Sequence, residues 1–173
     1  MAAAPLSLKA RALQWLAQRE HSRLELRRKL LRLARQRVAD GDAGVNDRDS
    51  EGSPDPGPEV DALLEWLLAH RYLSDARFVE SRVNARSARY GNLRIRHELG
   101  QHGAVLDDDD AERLKDSELA RARNVWRRKY GSVPASNATD RARQMRFLAG
   151  RGFSAETIRR VVRSGGSEGD DEA

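Results

Sequence analysis

The sequence contains no cysteine and no long apolar run, and each absence excludes a class of protein. Without cysteine the chain forms neither a disulfide framework nor a thiolate metal site. No apolar stretch approaches the roughly 20 residues that a helix needs to span a bilayer, so no membrane association is predicted. The first residues, MAAAPLSLKARAL, lack the basic start and long apolar region of a signal peptide. A soluble cytoplasmic protein is therefore expected.

Aromatic residues are also scarce, at 5% of the 173 residues, whereas charged residues reach 34%. This balance disfavours large β-structure and fits helices with a narrow apolar seam. Apolar residues recur at helical spacing along most of the chain, and Val79, Val83 and Tyr90, for example, are predicted to share the apolar stripe of one helix. The exception is 39–58, which is rich in Gly, Asp, Ser and Pro and is predicted to be a disordered acidic insertion.

Helical segments of similar order occur three times along the chain. In each, a helix and a turn precede a short helix that carries an arginine and a nearby leucine, and a third short helix follows. A three-helix unit repeated about every 45–50 residues, the insertion aside, is typical of a stacked array. The predicted fold is all-α, an elongated tandem array of three three-helix repeats. Its parts are a flexible N-terminus at 1–7, repeats at 8–73, 74–116 and 117–163, and a disordered acidic tail at 164–173.

Several helix starts are marked by capping residues. Ser22 stands three residues before a glutamate, which is the spacing of a capping box. Asn92 and Ser154 are predicted to cap the helices that follow them, and Pro58 is expected at the first position of its helix. The acidic run Asp107 to Asp110 suits a helix N-terminus, and we prefer that interpretation to a cation site.

The formal net charge of +5 conceals an uneven distribution. Residues 39–58 carry a net charge of −5 and residues 164–173 carry −4, which leaves about +14 on the predicted helical part. A basic body of this density indicates an anionic partner, with nucleic acid as the first candidate. The alternative is that the arginine richness reflects a GC-rich genome and that many arginines lie on solvated helix faces.

Short motifs in all three predicted repeats resemble those of the RecX family, which regulates the RecA recombinase. They are Arg19-Glu20-His21-Ser22 and Glu25-Leu26-Arg27-Arg28-Lys29-Leu30 in the first repeat, Tyr72-Leu73-Ser74-Asp75 and Tyr90-Gly91 through Leu99 in the second, and Lys129-Tyr130-Gly131 and Phe147-Leu148 through Phe153 in the third. The chain departs from the family pattern at Arg71, where the family often has glycine. It also departs at Asn92, where the family often has proline, and at Ser74, where the family usually has aspartate.

The resemblance implies a non-enzymatic regulator of RecA, mainly an inhibitor. RecX-like proteins lie in the groove of the RecA filament on single-stranded DNA and suppress ATP hydrolysis, strand exchange and co-protease activity, which modulates DNA repair and the SOS response. The implied partner is this filament, with contact to single- or double-stranded DNA through a basic flank, and the protein is expected to be a monomer without cofactors. The alternative is a stand-alone helical DNA-binding module that does not act through RecA.

Cationic side chains beside the apolar stripes are the candidate contacts to the filament or to DNA. They are Arg27, Arg28, Lys29 and Arg32 in the first repeat, Arg86, Arg89, Arg94 and Arg96 in the second, and Arg127, Arg128, Lys129, Arg143, Arg146 and Arg151 in the third. Phosphate contacts of this kind position a protein without reading sequence.

Other chemistry-bearing residues favour structural roles. His97 and His102 are five residues apart, not the four of a helical metal pair, so no metal site is predicted. No paired acid and base or activated nucleophile stands out, which argues against an enzyme. Trp15, Trp66 and Trp126 lie near apolar stripes, so core packing is favoured over stacking on bases.

Overall fold

Helices and their connections make up the described part of the chain. The computed structural model describes residues 6–39, 55–131 and 133–165. In chain order the helices are α1 (Leu8–Gln18), α2 (Arg23–Ala39), α3 (Gly57–Ala69), α4 (Asp75–Ser87), α5 (Asn92–Gln101), α6 (Asp108–Asp116), α7 (Glu118–Tyr130), α8 (Ala138–Ala149) and α9 (Ala155–Arg163). The predicted all-α fold class is confirmed. Most of the predicted acidic insertion and acidic tail, and the start of the predicted flexible N-terminus, lie outside the described residues.

The chain divides into two compact units, Met1–Phe78 and Val79–Ala173, each with its own apolar core. In the first unit α2 packs against both α1 and α3. Leu26 and Leu30, one helical turn apart on α2, are fully buried. The predicted cap at Ser22 is confirmed, because its Oγ accepts the backbone N–H of Glu25 over 3.0 Å. The boundaries of the three predicted repeats stay a prediction.

α3 begins one residue earlier than predicted. Pro58 was expected at the first helical position, but Gly57 occupies it and Pro58 is the second residue. The reason is local, because the Asp55 carboxylate accepts the backbone N–H of Gly57 over 3.1 Å and so satisfies a donor ahead of the proline. Neither position costs the helix a hydrogen bond, since proline lacks only an N–H that has no intrahelical partner there.

Arg71 adopts a left-handed backbone conformation at the turn between α3 and α4, with φ at 59°. For an L-residue with a Cβ atom, this conformation has an unfavourable free energy. Glycine avoids that cost, because it has no Cβ atom. The turn around Arg71 is held by the backbone N–H of Tyr72, which donates to the carbonyl of Leu67 over 2.9 Å. Glycine at this position would therefore avoid the cost of the left-handed conformation.

The core of the second unit is built mainly by α7, α8 and α9, which pack against one another. Trp126 on α7 is fully buried, and its indole N–H donates to the side-chain oxygen of Gln144 over 3.0 Å. The predicted core role is thus confirmed for this tryptophan. The predicted cap at Ser154 is also confirmed, because its Oγ accepts the backbone N–H of Thr157.

Two glycine turns of the second unit meet backbone to backbone. The N–H of Gly91 donates to the carbonyl of Arg151 over 2.9 Å, and the N–H of Leu93 donates to the carbonyl of Gly152 over 3.0 Å. A Cβ atom on Gly91 would lie 2.3 Å from the Gly152 oxygen and from Phe153 backbone atoms. Only glycine permits this approach, which joins the start of α5 to the end of α8.

The predicted cap at Asn92 is wrong. The structure places Gly91 at the cap position without a side-chain bond, and Asn92 is the first residue of α5. Its backbone N–H donates to the buried Glu118 carboxylate over 2.9 Å, and its side-chain oxygen accepts from Arg121. A cap would use this side-chain oxygen to accept a backbone N–H of the helix, but here the oxygen accepts from Arg121 instead. A proline at this position would lose the bond to Glu118, because proline has no backbone N–H.

Candidate functional site

Four of the predicted contact cations line one cleft in the second unit. Arg89, Arg128, Lys129 and Arg151 surround a volume of 350 Å³, and Ala88, Tyr90, Val125 and Phe147 complete its wall. We call this set of residues the cationic cleft. No acidic side chain in the described ranges lines it. The cleft therefore presents a local excess of positive charge next to two aromatic rings.

The contact between the two glycine turns creates the cleft. Arg89 precedes the first turn and Arg151 lies in the second, and these arginines are 62 residues apart in the chain. The Arg151 guanidinium donates to the Arg89 carbonyl over 3.4 Å. The backbone bond between Gly91 and Arg151 holds the two turns together, so both cations lie at one place.

The end of α7 supplies the other two cations. Arg128 and Lys129 lie in its last turn, and Gly131 stops the helix in the left-handed conformation with φ at 65°. Positive charge is favourable at a helix C-terminus, because the last carbonyl groups carry partial negative charge. Both side chains are exposed, so they serve the helix end and still reach solvent.

Aromatic rings fix the orientation of several guanidinium groups. Arg151 lies 4.6 Å from the centre of the Phe147 ring, and Arg94 lies 4.4 Å from that of Tyr90. Arg86 approaches the same Tyr90 ring at 5.7 Å. Such contacts attract a cation to the ring face by about 0.5–1 kcal/mol at exposed sites. They limit the conformational freedom that a guanidinium would otherwise lose on binding an anion.

Arg86 and Arg94 are less available than the cations of the cleft. Glu98 of α5 pairs with Arg86 over 2.9 Å and with Arg94 over 3.4 Å. The remaining predicted cations of this unit do not line the cleft. Arg96 lies beside a different groove with Leu93 and Lys115. The others are in α7 and α8, namely the half-buried Arg127 and the exposed Arg143 and Arg146.

Two predicted cations of the first unit have partners within it. Arg27 forms a two-pronged ion pair with Asp61 of α3, at 2.6 and 2.8 Å. The Arg27 hydrogen bond holds the pKa of Asp61 below its usual value. The ammonium of Lys29 lies 4.6 Å from the centre of the Trp15 ring. Arg28 and Arg32 are exposed on α2.

Tyr90 and Phe147 were not among the predicted contact residues. Tyr90 was predicted on the apolar stripe of α4, but α4 ends at Ser87 and Tyr90 lies in the following turn. The signal that could have identified both rings is their position beside an arginine next to a glycine turn. Trp15 and Trp66 are half-buried, and the Trp66 ring stacks on His70 at 4.0 Å between ring centres.

Within residues 6–39, 55–131 and 133–165, no group of three or more His, Asp or Glu side chains is placed to hold a metal ion. Among the same residues, no helix is both long and apolar enough to cross a membrane.

Comparison with known proteins gives consistent matches along the chain. Residues 74–112 match the family model for the second three-helix domain of RecX, and residues 116–162 match that for the third. The regulatory protein RecX of Herminiimonas arsenicoxydans is 45% identical over 168 residues, which cover 95% of this chain and 96% of the relative. The RecX protein of Ralstonia nicotianae is 44% identical, with 91% and 87% covered.

A solved structure agrees in fold. The crystal structure of RecX from Lactobacillus salivarius superposes with a TM-score of 0.62 over 91% of this chain and 93% of that chain, at 17% sequence identity. That similarity concerns the fold alone. Identity above 40% over nearly the full length of the curated relatives, together with the two matched domain models, shows that this chain belongs to the RecX family of regulatory proteins.

Proposed function

We propose that this protein is a non-enzymatic regulator, mainly an inhibitor, of the RecA recombinase in the cytoplasm. It binds as a monomer in the groove of the RecA filament on single-stranded DNA, and it suppresses ATP hydrolysis, strand exchange and co-protease activity. DNA repair and the SOS response are thereby modulated. Membership of the RecX family supports the regulatory role. The cationic cleft supports the proposed binding to a negatively charged filament.

The chemistry of the cleft suits a negatively charged polymer. Guanidinium groups bind phosphate and carboxylate oxygens through two parallel N–H donors, and such charge-assisted bonds are about twice as strong as neutral ones. Arg89, Arg128 and Arg151 provide three such groups around one volume, and Lys129 adds a point charge. DNA phosphates and acidic side chains of RecA are both partners of this chemistry. Binding would be sensitive to salt and insensitive to base sequence.

The test is the single-stranded-DNA-dependent ATPase of RecA with the purified protein added. The wild type is expected to inhibit at stoichiometric amounts in moderate salt. The triple variant Arg89→Ala, Arg128→Ala, Lys129→Ala is expected to need at least about tenfold more protein, because it removes three charge-assisted contacts. A matched control replaces three exposed cations outside the cleft, Arg35, Arg141 and Arg159, by alanine.

If the triple variant and the control inhibited equally, the cleft would not contribute to binding of the filament. Absence of inhibition by the wild type would contradict the regulatory proposal itself. Footprinting on duplex DNA distinguishes the RecA regulator from the alternative function. A discrete protected site in the absence of RecA would favour a stand-alone DNA-binding module.

A further inference from the structure

We propose that the acidic segment 166–173 of the chain binds in the cationic cleft of the same molecule when no anionic partner is present. The segment carries Glu168, Asp170, Asp171 and Glu172 and no basic residue. Its four negative charges equal the four positive charges of the cleft. The segment then competes with external anions for the cleft. Only the consequence for RecA rests on the proposed function.

The described chain ends close to the cleft. Gly165 packs against Pro134, so closely that a Cβ atom on Gly165 would lie 2.8 Å from the proline ring. Pro134 directly follows Val133, whose N–H donates to the carbonyl of Tyr130 over 3.3 Å. Gly165, the last described residue, therefore lies beside the loop that follows α7. Lys129 of the cleft is the residue before Tyr130.

Contacts between side chains lead from Tyr130, at the end of α7, to the cleft. The Tyr130 ring meets the Phe147 ring edge to face at 5.5 Å between centres, and Phe147 carries the Arg151 guanidinium on its face. Eight residues reach at most about 26–29 Å when extended. Glu168 is three residues and Glu172 seven residues beyond Gly165, so the chain carries them at most about 10–11 Å and 23–25 Å from it.

Two physical conditions favour the bound segment. The cleft has no acidic lining residue in the described ranges, so its cations repel one another until an anion binds. A segment tethered next to its site also has an effective concentration of roughly millimolar. A carboxylate–guanidinium contact with a dissociation constant about two- to fourfold below this concentration would then reduce the affinity for an external anion about three- to fivefold. The effect must weaken as salt screens the charges.

Lysine distribution allows a direct test. The lysines of the chain are Lys9, Lys29, Lys115 and Lys129, and Lys129 alone lines the cleft. A carbodiimide joins a carboxylate to an amine in direct contact, so the full-length protein is treated at low salt and at 1 M salt and the linked peptides are identified by mass spectrometry. Monomers are isolated first, so that links between molecules are excluded. The expected product joins Lys129 to Glu168, Asp170, Asp171 or Glu172, and it is lost at 1 M salt.

The competition is measured with an oligothymidylate as the anionic probe. Neutralising the segment with Glu168→Gln, Asp170→Asn, Asp171→Asn and Glu172→Gln is expected to tighten binding about three- to fivefold at low salt, because the competitor is removed. A charge-matched control carries Asp40→Asn, Asp42→Asn, Asp47→Asn and Asp49→Asn and is expected to bind like the wild type.

Three results would overturn the inference. One is a link pattern without Lys129, another is equal linking of all lysines, and the third is an equal gain in affinity for both neutralised variants, which would indicate a general charge effect. None of these readouts uses RecA. A protein that forms the Lys129 link but leaves the RecA ATPase unchanged would contradict the proposed function and leave this inference standing.

Discussion

The backbone N–H of Gly91 donates to the carbonyl of Arg151 over 2.9 Å, and this bond links the turn before α5 to the turn after α8. It places Arg89 and Arg151, which are distant in the chain, on the wall of one cleft. The contact leaves no space for a side chain at Gly91. The geometry of the cationic cleft therefore depends on a residue that has no side chain.

Gly91→Ala is expected to destabilise the protein by at least about 2 kcal/mol, because the new methyl group meets backbone atoms that cannot move aside. Urea unfolding followed by circular dichroism measures the loss. The control is Gly100→Ala on α5, where a Cβ atom meets nothing within 4 Å. That variant should gain up to about 1 kcal/mol through helix propensity. Similar stabilities for the two variants would contradict the close approach.

Glu118→Ala is expected to cost about 2–4 kcal/mol, because the buried carboxylate accepts three hydrogen bonds that have no substitute. The donors are the Asn92 backbone N–H at 2.9 Å, the Ser154 hydroxyl at 2.7 Å and the Thr157 hydroxyl at 3.0 Å. Glu112→Ala on the exposed side of α6 should change stability by less than about 0.5 kcal/mol. Thermal unfolding of both variants decides the matter, and equal melting temperatures would exclude the network as a stabilising element.

Arg71→Gly is expected to stabilise the protein by about 0.5–1 kcal/mol. Glycine removes the cost of the left-handed conformation, and this gain exceeds the extra entropy of glycine in the unfolded chain. Chemical denaturation detects the shift. Arg89→Gly is a suitable comparison, because Arg89 is exposed and has no positive φ. A loss of stability in the Arg71 variant would mean that the side chain contributes more than the backbone conformation costs.

Stability of the first unit should fall as the pH decreases below about 6.5. Burial lowers the pKa of His21, which is 1% exposed and lies 3.2 Å from the Glu25 carboxylate. Since the pKa is lower in the folded state, the unfolded chain binds the proton first. The contribution is therefore complete above the unfolded pKa and is lost as the pH falls through the folded one.

The measurement is the urea midpoint between pH 7.5 and 5.5. His21→Gln should flatten the dependence, whereas His97→Gln, at an exposed position, should leave it unchanged. A slope that persists in the His21 variant would assign the pH dependence to other groups.

The cationic cleft should determine the salt dependence of binding to single-stranded DNA. Each phosphate contact contributes about 0.7 to the slope of log affinity against log salt. The triple variant at Arg89, Arg128 and Lys129 is expected to reduce the magnitude of the slope by up to about 2. The control variant at Arg35, Arg141 and Arg159 should keep the wild-type slope. Fluorescence anisotropy with a labelled oligothymidylate over several salt concentrations gives both values.

Local signals in the sequence identified most of the helices. The caps at Ser22 and Ser154 were predicted correctly because each bond spans three residues. The cap at Asn92 was wrong because Arg121, 29 residues away, donates to the side-chain oxygen that a cap would use. Likewise Tyr90 was placed on α4, whereas Arg121 of α7 binds the carbonyl oxygens of Ser87 and Tyr90 at the end of that helix. The errors thus lie where a distant side chain replaces a local partner.

Sequence reasoning could select basic residues but not their arrangement. Nothing local in the chain connects Arg89 with Arg151, because the turns that join them are held by backbone bonds between distant glycine segments. Nor could spacing show that Arg27 is paired with Asp61, which lies on another helix. Assigning these roles requires the tertiary contacts that determine which charges meet.

Because the Gly91–Arg151 bond joins main chain to main chain, the backbone frame of the cleft does not depend on which exposed side chains surround it. Glutamine or glutamate at 89, 128 or 129 would change the electrostatic potential without altering the frame that holds these positions. Ligand preference and architecture are therefore separable here, because surface substitutions at these positions can alter the first without altering the second.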